Sequence, residues 1–204
     1  MANDTLDSFD PVGSGARSAV EAGLVLSQQG LGVDAMSRFK EGIRSAPGWH
    51  VPHFLLASEY AASGDYASAE ACFAQTVLLA PNFHIARYQL GLLQFSNGRR
   101  HVAMITWAPL RALPPDQPYP RLVDAFTALM SERYLDARAL FTAALPLAVN
   151  VGLEADIRGL MLRLDEHMGS ANAVGTTGEA GETQVQPESP HHVLLSNYAG
   201  KTFH

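Results

Sequence analysis

Apolar positions recur along this chain in a helical rhythm that glycine and proline interrupt at regular intervals. The stretch 50–83, HVPHFLLASEYAASGDYASAEACFAQTVLLAPNF, shows the unit most plainly. It reads as two short amphipathic helices joined by a tight Gly-Asp turn and closed by a proline. The same skeleton lies 34 residues before it and 34 after it, and more faintly 34 beyond that. The pattern predicts paired helices at 16–29 and 33–46, 50–63 and 66–79, 84–97 and 100–113, and 118–131 and 134–147.

Columns 34 residues apart carry the register. A small residue recurs at Gly23, Ala57, Gly91 and Ala125, where two helices have to approach closely. A turn residue recurs at Gly30, Gly64 and Gly98, with Glu132 breaking the column; glycine there supplies the positive φ that ends a helix. Alanine recurs at Ala35, Ala69, Ala103 and Ala137, and four residues later a large ring follows at Phe39, Phe73, Trp107 and Phe141. Alanine and ring share one helix face, a small knob beside a large one. Pro47, Pro81 and Pro115 close three units, and Val149 stands in the fourth. Pro109 is expected to kink or shorten the sixth helix and Pro146 to end the eighth early. The Pro-rich run 113–121 sets a stiff lead into the fourth pair.

This pattern resembles the tetratricopeptide repeat, a helix–turn–helix unit of about 34 residues. Unit 50–83 carries Leu56, Ala57, Tyr60, Gly64, Tyr66, Ala69, Phe73 and Pro81 at that family's spacings. It departs at His53, where a larger residue is usual, and the first unit is degraded at Ala19, Ala22 and Gly32. The resemblance implies an all-α fold, a right-handed α-solenoid of units 16–49, 50–83, 84–117 and 118–151. The run 151–168 adds an amphipathic helix with Leu153, Ile157, Leu160, Leu164 and Met168 near one face. Its segment 152–168 is read as the cap that closes the array 16–168.

Composition changes at both ends. Residues 1–15 are polar and acidic and read as a flexible leader. Residues 169–190 are rich in Gly, Thr, Glu and Ala without an aromatic, and read as a disordered linker. Residues 191–204 carry Val193, Leu194, Leu195, Tyr198 and Phe203, an apolar peptide on a tether. Such a tail is expected to dock, either in the array's own groove or as a recognition peptide on another protein.

The apolar share of 47% suffices for a sizeable core, and a net charge of −6 without a basic stripe argues against nucleic acid. The N-terminus has no apolar run of a signal peptide, and nothing reaches the length of a membrane span, so a cytoplasmic chain is expected. The single cysteine, Cys72, excludes an intrachain disulfide and reads as a structural thiol. His50 and His53, with His84 equivalent to His50 one repeat later, lack a third ligand at metal-binding spacing, and His191-His192 with His204 would bind a metal only adventitiously. No phosphate loop, nucleophile elbow or Cys/His cluster is present, so neither cofactor nor metal is expected, and no catalysis by this chain alone.

The resemblance also implies that the first helix of each pair lines a concave groove. Carried onto this sequence, its bulky positions are Phe54, Tyr88, Leu92, Phe95, Tyr119, Leu122, Phe126 and Met130. These are apolar, whereas relatives that grip acidic C-terminal peptides place Lys, Arg and Asn there. The expected function is therefore a protein- or peptide-binding scaffold, or a chaperone-like adaptor in a bacterial assembly, holding an extended apolar segment. Ordinary packing between repeats is the alternative reading of the same positions. The competing function is a non-catalytic regulatory subunit docked onto an enzyme or an export or biosynthesis complex, for example in polysaccharide synthesis or secretion. An uncovered face at the degraded first unit would suit a homodimer.

Overall fold

The computed structural model describes residues 12–174, with side chains as far as 169. Most of the leader, residues 175–190 of the linker and the tail 191–204 lie outside the described residues. Eight helices form four antiparallel pairs: α1 (Ser14–Gln28) with α2 (Gly32–Ser45), α3 (His50–Ala62) with α4 (Tyr66–Leu79), α5 (His84–Ser96) with α6 (Arg100–Arg111), and α7 (Tyr119–Met130) with α8 (Tyr134–Ala144). A 3-10 turn, Leu145–Leu147, leads into the last helix, α9 (Val151–Val174). Each second helix also packs on the first helix of the following pair, so the pairs stack into a solenoid.

Burial separates two layers. Helix α3 buries residues nearly all round, from Val51 to Ala61, whereas its partner α4 buries only Ala69, Phe73 and Thr76. The first helices are thus sandwiched, and the second helices form the outer layer. The core runs unbroken through all four pairs, with Phe39, Phe73, Trp107 and Phe141 buried one per pair at the ring column.

The turns repeat atom for atom. Leu31 donates to the Leu26 carbonyl, Asp65 to Tyr60, Arg99 to Gln94 and Arg133 to Ala128, all at 2.9–3.0 Å. The preceding residue donates three positions back in each turn, completing the two-bond helix stop that needs a left-handed residue. Gly30, Gly64 and Gly98 supply it with φ of 77°, 82° and 77°. Glu132 adopts the same conformation at φ 57°, so the fourth turn keeps its geometry without glycine.

Proline and composition account for the departures at helix ends. Helix α6 contains Pro109 and stops at Arg111, two residues short of the expected end. Helix α8 stops at Ala144, where Pro146 forces the 3-10 turn. Helix α9 continues to Val174, into the first part of the stretch whose composition reads as linker.

Candidate functional site

The inward positions that the repeat resemblance assigns lie on the first helices α3, α5 and α7. Aromatic residues spaced along the first helices meet their ring-column partners in a continuous stack. Tyr88 stacks on Trp107 at 6.1 Å and lies 6.1 Å from Tyr119. Phe126 meets Trp107 at 4.6 Å, Phe95 at 4.9 Å and Phe141 at 5.5 Å. The Trp107 indole donates from Nε1 to the Tyr88 carbonyl at 2.9 Å, which fixes α6 against α5. Phe54 belongs to a separate group with Phe73 and Phe83 in the second pair.

The eight expected groove residues therefore divide. Phe54, Tyr88, Tyr119, Leu122 and Phe126 are buried in the chain's own core. Leu92, Phe95 and Met130 are half-buried, and with Leu129 they form an apolar rim at the C-terminal ends of α5 and α7. Arg100 holds its guanidinium 5.8 Å above the Phe95 ring. The tail residues Val193, Leu194, Leu195, Tyr198 and Phe203 lie outside the described residues.

Helix α9 packs mainly on α8 and the 3-10 turn. Asn150 caps it, its side chain accepting from the Leu153 amide at 2.8 Å. Leu153, Ile157 and Leu164 are buried on the side facing the array. Along its second half, Arg138 of α8 makes two hydrogen bonds to Asp165, at 2.6 and 3.0 Å, and Tyr134 packs against His167. Along its first half it reaches past α8 to α5, where Gln89 Nε2 donates to Asp156 Oδ2 at 2.8 Å. Gln89 follows Tyr88 and stands between Ile85 and Leu92, among the inward positions of α5.

This contact is electrostatically costly. Asp156 is only 7% exposed. Loss of hydration pushes its carboxyl up to about 6, against the opposing pull of the Gln89 amide and the Arg163 charge. Burial and the neighbouring Asp156 carboxylate also push the Tyr88 phenol well up, and burial pushes Tyr119 up to about 12. The Tyr88 hydroxyl is buried without a hydrogen-bond partner among the described residues.

Neither Gln89 nor Asp156 stands out in the sequence. One signal exists: Asp156 lies 34 residues after Leu122, in the inward column of what would be a fifth unit, beside the apolar stripe of α9. Elsewhere titratable groups are dispersed. Among the described residues no three His, Cys, Asp or Glu side chains come together as a metal site, and no helix is long and apolar enough to cross a membrane. Burial raises the Cys72 thiol, which leaves it a poor nucleophile.

No protein-family model and no curated protein matches the chain. Solved structures do. MamA matches with TM-score 0.55 at 18% identity, over 68% of this chain and 80% of that one. A MamA segment from Desulfovibrio magneticus RS-1 matches with TM-score 0.56 at 16% identity, over 83% and 99%. A tetratricopeptide repeat protein from Parabacteroides merdae matches with TM-score 0.57 at 16% identity, over 90% and 73%. The repeat register, the paired helices and these three structures agree: the chain has the fold of a tetratricopeptide-repeat array.

Proposed function

We propose that this array is a non-catalytic, cytoplasmic protein-binding scaffold whose concave face takes an apolar segment of a partner protein. The observation that carries the reading is the rim formed by Leu92, Phe95, Leu129 and Met130, large apolar side chains left half-buried on the inner layer. Each buries further apolar area when a partner side chain covers it, worth about 1.5–3 kcal/mol for a fully buried large side chain. None of the eight expected groove positions is cationic, and Arg100 over the Phe95 ring is a cation beside the rim, which favours an apolar or aromatic segment over an acidic peptide. A chaperone-like role, with the tail 191–204 as a stand-in client, extends this reading.

A second reading, docking as a regulatory subunit onto an enzyme or export complex, draws support from the outer layer. Leu78, Ile105 and Leu135 are 72%, 76% and 76% exposed there. A photo-crosslinking residue at position 95 or at position 105, introduced in the producing cell, separates the two. Capture of one partner from position 95 alone is the expected result. Capture from position 105 alone transfers function to the outer face and overturns the groove reading.

A further inference from the structure

We propose that α9 is an internal ligand of the concave face, and that the external partner is an amphipathic helix of the same pattern which displaces it. This deepens the scaffold reading and rests on it. The pattern is specific: apolar residues at Leu153 and Ile157, with a hydrogen-bonding acid at Asp156 between them. In a solenoid a terminal cap only has to cover the last pair. Helix α9 does more, because the Gln89–Asp156 bond ties it to the third pair as well as the fourth.

Three observations favour release of α9. First, the buried part of the contact is imperfect. It holds a desolvated carboxylate, and the nearby Tyr88 hydroxyl has no hydrogen-bond partner among the described residues. An apolar cap of equal size would carry neither penalty. Second, the outer anchor, the bidentate Arg138–Asp165 pair, is partly exposed and therefore open to screening by salt. Third, α9 carries Gly159 in its middle, and packing does not demand a glycine there. A Cβ at 159 would meet nothing closer than the Arg163 guanidinium at 3.8 Å. The glycines at 23 and 91 differ, because a ring occupies the space a Cβ would need. Gly159 therefore weakens the helix without serving its fit. A helix that folds poorly alone and seats an acid in an apolar groove is suited to release.

The test uses the full chain and a fluorescent peptide of residues 151–168 added in trans. Asp156→Lys in the chain loosens its own α9 and leaves the groove, including Gln89, intact. Its affinity for the wild-type peptide should rise about tenfold over that of the wild-type chain, the effect of losing one buried charge-assisted hydrogen bond. Gly159→Ala in the chain strengthens its own helix and should lower that affinity about fivefold. Hydrogen exchange across α9 should speed up in the first variant and slow down in the second. Equal affinities in all three chains, or no binding to any, overturn the proposal. So does faster exchange without tighter binding, which would make α9 a cap only. These results leave the photo-crosslink at position 95 as the separate judge of the scaffold reading.

Discussion

A Cβ placed on Gly91 would lie 2.1 Å from Nε1 of Trp107. The indole thus occupies the space a side chain on α5 would need, and its N–H reaches the Tyr88 carbonyl across the same contact. Gly91→Ala should force the ring from its position or part α5 from α6. Overpacking of this kind costs about 1–3 kcal/mol. Denaturant unfolding should show a lower midpoint with an unchanged slope, whereas Gly159→Ala should show no loss.

The left-handed conformation of Glu132 leads to the opposite expectation. Its backbone follows the three glycine turns, yet its Cβ carries a steric cost of about 1–2 kcal/mol in that region. Glycine avoids the cost but gives back part of the gain as entropy of the unfolded chain. Glu132→Gly should therefore stabilise the array by about 0.5–1 kcal/mol, read as a higher unfolding midpoint. Gly64→Glu, which imposes the same strain on a turn now free of it, should destabilise by a similar amount.

Tyr88 offers a test of the buried interface beneath α9. Its hydroxyl is buried without a hydrogen-bond partner among the described residues, a state that costs about 1–3 kcal/mol relative to a satisfied group. Tyr88→Phe keeps the ring on Trp107 and removes the unsatisfied oxygen. The variant should be as stable as the parent or up to about 1 kcal/mol more stable. A loss above that size would mean that the hydroxyl makes a hydrogen bond after all.

The sequence made the repeats legible because their determinants are local. Gly30, Gly64 and Gly98 end helices through bonds within one turn, and the alanine and ring columns pair within one unit. At Glu132 the column breaks in the sequence, while the turn keeps its left-handed residue in the structure. The groove was less legible. Positions such as Tyr88 and Leu122 are apolar whether they face a partner or a neighbouring helix, and the periodicity of one helix does not separate these cases. Helix α9 was legible as a helix after the last pair, but its reach to α5 was not. A single bond between residues 67 apart, Gln89 and Asp156, carries it onto α5, and nothing near either residue in the chain announces the other. Composition misled at 169–174 for a related reason: a polar, glycine-containing run still continues a helix already nucleated by tertiary packing.

Acid should tighten the seat of α9. The Asp156 carboxyl titrates at about 6 when docked, against an ordinary value of 3.8. The docked state therefore binds more protons than the released state between about pH 4 and pH 6, and linkage makes docking weaken as pH rises through that window. Above the docked value the effect is complete, and the difference amounts to about 3 kcal/mol. Gln89 and the Arg163 charge pull this carboxyl the other way, and burial pushes the Tyr88 phenol beside it well up, so Tyr88 stays protonated across that window. The Arg138–Asp165 pair acts in the other direction, since Arg138 holds the Asp165 carboxyl below its usual range. Its contribution is present above about pH 4 and is lost only as pH falls below it, so the two windows barely overlap. Hydrogen exchange of α9, normalised to α3 and α4 at each pH, should accelerate from pH 4.5 to about pH 6.5 and then level off. Asp156→Asn should flatten that profile, because the amide keeps a partner for Gln89 and has no proton to lose. A profile unchanged by this substitution would mean that Asp156 does not control the seating of α9.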